Sequence, residues 1–160
     1  MTLSSLYTIH KTYYPDFKLK SSSYINVNSN LKESSNNHKV YHQNIRGLKG
    51  KIGQLSNTLY SELPNLLRIN VHHLKDLEID MSTEYYNLGA KFCKHQYKNG
   101  GVRIFVHESI DFNTIPTHNT CKEKDLEICA IKLNRPKIKT VIITIYRTPS
   151  GNYNNFLRKL

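Results

Sequence analysis

Apolar residues are sparse and unpatterned up to residue 39 and become periodic after it. Of 43 Leu, Ile, Val and Phe residues, only 8 fall in residues 1–39. That stretch is rich in Ser, Asn, Tyr and Lys, as in Ser21-Ser22-Ser23 and Ser34-Ser35-Asn36-Asn37, and sustains no period of 2 or 3.6. We read it as a poorly ordered leader and place the folding unit at 40–160. Val40-Tyr41-His42-Gln43-Asn44-Ile45 has the β-branched and aromatic content of a strand entering a core. Leu48, Ile52, Leu55, Leu59 and Leu63 then recur at steps of 4, 3, 4 and 4, which is one face of a helix that Pro64 stops. Leu66 to Asn70 follows as a strand, so the opening unit is β-α-β.

Beyond Asp80 the pattern turns to period 2. Tyr86, Leu88, Ala90 and Phe92 alternate, Asn99-Gly100-Gly101 turns the chain, and Val102, Ile104 and Val106 alternate again, which predicts a hairpin. Leu126 to Leu133 is a further strand. After the turn at Asn134-Arg135-Pro136-Lys137, Val141 to Tyr146 is continuous enough for a buried central strand. Tyr153 to Leu160 starts a helix with Phe156, Leu157 and Leu160 on one stripe. No repeat with a period of 20–50 residues is visible. The pattern therefore predicts an α/β chain with one mixed sheet plus helices.

Composition narrows the partner. A length of 160 residues suits one domain, and 23 Lys and Arg against 12 Asp and Glu give a net charge of +11. That balance favours a polyanion, with DNA the first expectation, although scattered basic residues also serve solubility. No stretch approaches the ~18 consecutive apolar residues of a membrane span, so no membrane partner is expected. The three cysteines, Cys93, Cys121 and Cys129, form no C-x-x-C pair, which argues against a disulfide framework or a zinc knuckle. His72 and His73 are adjacent and point to opposite sides of an extended chain, so they do not converge on a metal.

Four segments then stand in a telling order: His42-Gln43-Asn44-Ile45-Arg46-Gly47-Leu48; Pro64-Asn65-Leu66-Leu67 with His72-His73-Leu74; Phe92-Cys93-Lys94 with Gly100-Gly101-Val102; and Tyr146-Arg147-Thr148-Pro149-Ser150-Gly151-Asn152. Over residues 40–160 they resemble the N-terminal part of the endonuclease domain of LINE-type (jockey-like) non-LTR retrotransposons, within the endonuclease/exonuclease/phosphatase superfamily. The resemblance implies part of a four-layer α/β sandwich, two mixed sheets flanked by helices, incomplete at the C-terminus. It also implies Mg2+-dependent cleavage of DNA phosphodiester bonds, a reverse transcriptase region in the parent element, and action in the nucleus.

The resemblance assigns residues one by one. Asn44 matches the family's active-site asparagine, which contacts the metal shell and the attacked phosphate. By residue type alone it better suits a turn after a strand, and the resemblance reverses that preference. Tyr146 matches the phosphate-facing tyrosine, with a core tyrosine as the alternative. Arg147 beside it can meet phosphate through its planar fork or simply stand exposed at a strand end. Where the family carries a metal-binding glutamate this chain has Val71, which cannot ligate Mg2+. Asp76 and Glu78 are too distant along the chain to substitute. The family's Asp-x-Asn and Asp-His segments do not occur before Leu160. Asp111-Phe112-Asn113 spells the first of them but precedes Tyr146, against the family's order, and reads as a polar turn.

The sequence thus leads to the remnant of a retrotransposon endonuclease that does not cut DNA by itself. A basic nucleic-acid-binding module without chemistry is the main alternative. A nuclease completed by a second chain, or a small basic protein with an accidental likeness, are the others.

Overall fold

In the computed structural model, residues 22–27, 38–75, 85–94, 100–121, 123, 125–134, 140–148 and 151–159 are described. The β-α-β unit read from the sequence opens the ordered core. Strand β2 (His38–Asn44) and strand β3 (Leu66–Asn70) run parallel, with Val40 opposite Leu66 and Asn44 opposite Asn70. Between them lie a 3-10 turn, Lys49–Lys51, and helix α1, Ile52–Glu62. The expected five-residue helical stripe is only partly buried. Leu55 and Leu59 sit in the core with Leu48, but Ile52 is 40% exposed and Leu63 55% exposed. The 3-10 turn breaks the phase between Leu48 and the helix. Leu63 lies past the last turn in the left-handed region (φ 40°), where its N–H reaches Leu59 O.

Strand β5 (Val102–His107) lies antiparallel to β3 and to β4 (Tyr86–Phe92), which is the expected hairpin. Strand β1 (Ser22–Val27) pairs antiparallel with β2, an element that lies inside the segment read as a leader. The result is a mixed five-stranded sheet in the order β1-β2-β3-β5-β4. A single sheet was the expectation from periodicity, and the structure has two. Strands β6 (Phe112–Ile115), β7 (Glu127–Leu133) and β8 (Thr140–Tyr146) form a second, antiparallel sheet. Phe112 and Asn113 are therefore in a strand rather than a polar turn. Strand β8 is not central either. It is an edge of the second sheet among the described residues, and most of it is half-buried.

The two sheets pack face to face. Val40, Leu66, Ala90, Val102, Ile104 and Val106 of the first meet Cys129, Ile131 and Leu133 of the second. On the first sheet's other face Leu55 and Leu59 of α1 cover Tyr41, Leu67, Ile69 and Phe105. The layers are thus helix, mixed sheet and antiparallel sheet, in agreement with an α/β sandwich. A second helix, α2 (Tyr153–Lys159), follows β8 as the sequence predicted. Its first turn is capped by Asn152, whose Oδ1 accepts from Asn155 N at 3.0 Å, and Asn152 N in turn donates to Asp125 Oδ1 at 2.9 Å.

Candidate functional site

Side chains alternate between faces along a strand, and the two cores sort them. On β2, Val40 belongs to the inter-sheet core while Tyr41 and Ile45 pack under α1. His42 and Asn44 share the face of Val40. On β3, Leu66 is inter-sheet while Leu67 and Ile69 face the helix, so Arg68 and Asn70 point toward the second sheet. On β8, Ile142 and Tyr146 turn inward, while Ile143 and Ile145 pack with Leu126 and Ile128 on the outer face. Thr144 also turns inward, and its hydroxyl accepts from Arg68 Nε at 2.9 Å.

Register brings these residues to one end. Asn44 is opposite Asn70, and Asn70 is opposite Val102. Gly101, next to Val102, donates its N–H to Glu127 Oε2 at 2.6 Å, and Glu127 is opposite Tyr146. Asn44, Asn70, Glu127 and Tyr146 therefore stand at the same end of the two sheets. Asn44 is exposed there. Asn70 is 2% exposed, and its Oδ1 is buried without a hydrogen-bond partner. Burial and then Glu127 push the Tyr146 hydroxyl above its usual pKa, against the pull of Arg46 and Arg147.

Glu127 is a buried carboxylate at this end, and sequence reading did not single it out. It is fully buried and pairs with Lys94 Nζ at 2.7 Å. Burial raises its pKa, and the bonds from Lys94 and Gly101 work the other way. The only sequence signal was Gly100-Gly101, read as a turn. Both glycines have positive φ, 130° and 90°. A Cβ on Gly100 would strike Lys94, and one on Gly101 would strike the His72 ring. The pair of glycines is what lets the ion pair and the histidine close against the backbone.

Val71 follows Asn70 with φ 60°, a left-handed conformation that is strained for a β-branched residue. Backbone bonds hold it there: its N–H donates to Gly101 O at 2.7 Å, and its carbonyl accepts from Gly47 N at 2.8 Å. His72 is fully buried. Its Nδ1 accepts from Leu74 N at 2.9 Å and its Nε2 lies 3.2 Å from Phe92 O, a pairing that puts the proton on Nε2. Burial and then Arg103 push its pKa down to about 3, so it is a neutral structural residue.

Arg147 closes its own loop. Its Nη1 donates to Thr148 O at 3.2 Å and Gly151 O at 3.1 Å, and its guanidinium carbon is 5.6 Å from the centroid of the Tyr153 ring. Asn113 donates to Asn134 Oδ1 at 2.6 Å, and Phe112 pairs with Leu133. The Asp111-Phe112-Asn113 segment is thus at the far end of β7 from Glu127, consistent with its rejection as a site motif. Asp76 and Glu78 lie outside the described residues.

A divalent cation of the magnesium type needs oxygen ligands in near-octahedral array, commonly with at least one carboxylate. This end offers the amides of Asn44 and Asn70 and the Tyr146 hydroxyl. Of the carboxylates near it, Glu127 is already engaged by Lys94 and Gly101 and Asp125 by Asn152 and Asn155. Among the described residues no three His, Cys, Asp or Glu side chains are grouped to hold a metal. Among the described residues, this donor set does not fit Mg2+.

No family model matches the chain, and no curated protein does either. Among solved structures, the AP endonuclease LMAP from Leishmania major superposes with a TM-score of 0.55 at 16% identity, covering 76% of this chain and 43% of that one. The 3' phosphatase NExo from Neisseria, bound to product DNA hairpin, gives a TM-score of 0.44 at 14% identity, covering 65% and 40%. The chain spans about two fifths of the length of either structure, at 43% and 40%. At 16% identity what is shared is the fold, and the chain has the two-sheet α/β fold of the Leishmania AP endonuclease over most of its length.

Proposed function

We propose that this chain is an endonuclease/exonuclease/phosphatase-type domain of LINE-retrotransposon ancestry that holds DNA by its phosphate backbone and does not cut it on its own. The observation that carries this reading is the strand-end cluster. Asn44 and Tyr146 come from different sheets and stand at the same end of them, and the family resemblance expects a carboxylate where this chain has Val71. The fold shared with an AP endonuclease supports the superfamily, and a net charge of +11 supports a polyanionic partner.

In this reading the Tyr146 hydroxyl and the Asn44 amide donate to non-bridging phosphate oxygens, and Arg147 adds charge from the loop that it closes. Mg2+ would supply charge neutralisation and water activation in an intact family member, but the donor set here does not fit it. Among the described residues, neither Glu127 nor His72 is available as a base for the attacking water. Glu127 is locked to Lys94, and both nitrogens of His72 are engaged by backbone groups. Positioned proton transfer contributes roughly 100- to 10,000-fold to such reactions, and in this reading neither of these two groups supplies it. A reverse transcriptase region in the parent element and a nuclear site of action belong to the same reading.

The test is supercoiled plasmid incubated with the chain in Mg2+ or in chelator. The expected result is no nicking by the chain or by a Val71→Glu variant, since one carboxylate does not rebuild the site. Retention of the plasmid should weaken steeply with salt, by ~1,000-fold between about 50 and about 200 mM if roughly six phosphates are contacted. Magnesium-dependent nicking that an Asn44→Ala variant abolishes would overturn the inactive reading.

A further inference from the structure

A guanidinium lies between the two sheets. Arginine is seldom buried without a carboxylate beside it, because taking its charge out of water costs more than a neutral hydrogen bond returns. Arg68 of β3 is 5% exposed and points toward the second sheet. Among the described residues its side chain makes one hydrogen bond, which crosses the gap from Nε to the Thr144 hydroxyl of β8 at 2.9 Å, and no carboxylate pairs with it. The titratable group nearest in influence, Cys129 of β7, is a buried thiol whose pKa burial pushes up, so it stays protonated and brings no counter-charge. Burial pulls the guanidinium's own pKa down, yet an arginine keeps its proton in a protein. Asn70, two residues along on the same face, does not answer it either, since its Oδ1 is buried with no hydrogen-bond partner.

The rows on either side of this charge differ. Behind it Leu66, Ile131 and Ile142 are apolar and belong to the inter-sheet core. Toward the strand ends come Asn70, Asn44 opposite it, and Tyr146, two residues beyond Thr144 on the same face of β8. Two residues of strand span about 7 Å, so the bond to Thr144 sets the charge one such step inside the polar strand ends. A low-dielectric interior screens a charge weakly over that distance. Asn44 is exposed, which makes the end reachable from solvent. Tying β3 to β8 needs no charge, because a neutral donor would bond to the Thr144 hydroxyl at lower desolvation cost.

We propose that Arg68 is the buried positive charge that draws a phosphate to the strand ends, and that the bound phosphodiester supplies the counter-charge. The proposal rests on reading the strand ends as phosphate-facing, and it places the attraction in a core residue rather than in surface lysines. One consequence separates this role from that of a brace between the sheets. A brace stabilises the chain when nothing is bound, whereas an uncompensated buried charge destabilises the free chain and is relieved by the ligand. Replacing Arg68 by an apolar residue of similar volume therefore leaves the free chain at least as stable and weakens its hold on phosphate.

Binding of a labelled short DNA duplex is measured by fluorescence anisotropy in chelator at low salt, for the 160-residue chain and for Arg68→Met, Thr144→Val and Lys132→Ala. Each chain is also melted with and without inorganic phosphate at constant ionic strength. Thr144→Val removes the cross-sheet bond and keeps the charge. Lys132 is exposed on β7, so its loss reports bulk charge only. The proposal expects Arg68→Met to melt no lower than the parent chain and to lose about tenfold or more in DNA affinity, with less than about threefold lost in the other two variants. Inorganic phosphate should raise the melting temperature of the parent and not that of Arg68→Met. An Arg68→Met chain that melts lower or does not fold, that binds DNA within about threefold of the parent, or that gains as much from phosphate makes Arg68 a brace. So does a Thr144→Val chain that loses as much affinity. Each of these overturns the proposal while leaving the phosphate-facing reading in place, and no DNA binding by the parent chain overturns both.

Discussion

At the scale of single residues, chemistry-bearing types divide into those that face a ligand and those that hold the frame, and the sequence does not say which is which. His72 and Tyr146 are both polar residues just past or at a strand end. His72 is fully buried with both ring nitrogens facing backbone partners, and its pKa is pushed down to about 3 from the ordinary 6.5. Between those values the unfolded chain binds the proton and the folded chain does not. Stability from this group is therefore complete above about 6.5 and is lost as pH falls toward 3, with a slope of up to about 1.4 kcal/mol per pH unit. Glu127, with its pKa raised, acts in the opposite direction over its own range. Urea unfolding followed from pH 7 to pH 4 should show the decline, and His72→Gln, which keeps a donor for Phe92 O, should flatten it. An unchanged slope in the variant would assign the acid sensitivity to other groups. The asparagines illustrate the other half of the problem. Asn44 stood out in the sequence because a family pattern marked it, whereas Asn70 came into view only when its burial and the lack of a partner for its Oδ1 were known.

At the scale of elements, periodicity identified most strands and both helices, because alternation and a 3.6 period follow from which face is buried. It failed where burial is asymmetric or where conformation is set by long-range contacts. β8 reads as a central strand because it is apolar on both faces: Ile142 and Tyr146 pack inward, and Ile143 and Ile145 pack outward with Leu126 and Ile128. Among the described residues it is nevertheless an edge. β6 was missed because Phe112–Ile115 is short and polar at two of its four positions, and its pairing with β7 decides its conformation. The link between elements that matters most for the site is the Lys94–Glu127 pair, which ties the end of the β4–β5 hairpin to the start of β7. Both side chains are almost fully buried, at 4% and 0% exposure. Removing one partner from such a pair leaves a buried charge uncompensated, and the usual loss is ~3–5 kcal/mol. Lys94→Met should therefore lower the urea midpoint by that order. Lys94→Met combined with Glu127→Gln should recover part of it, since glutamine still accepts from Gly101 N. A single variant within about 1 kcal/mol of the parent chain would mean that the pair does not hold the sheets.

At the scale of the whole molecule, the packing of two sheets brings Asn44 of β2, Asn70 of β3 and Tyr146 of β8 to one end of the interface, and the net charge of +11 favours a polyanionic partner. The sandwich itself was legible through family resemblance rather than periodicity, which sees strands but not how they are divided between sheets. The central claim is that DNA meets the chain at this end, across Asn44, Tyr146 and Arg147. The most direct measurement is a heteronuclear NMR titration of the labelled chain with a short DNA duplex in chelator, following backbone amide and asparagine side-chain signals. The account predicts that the largest shifts fall on Asn44 to Gly47, Asn70, Val71 and Tyr146, saturating together, with Phe112 to Ile115 at the far end of the second sheet unmoved. Shifts centred on Phe112 to Ile115, or spread evenly over the surface lysines with no saturation, would contradict it.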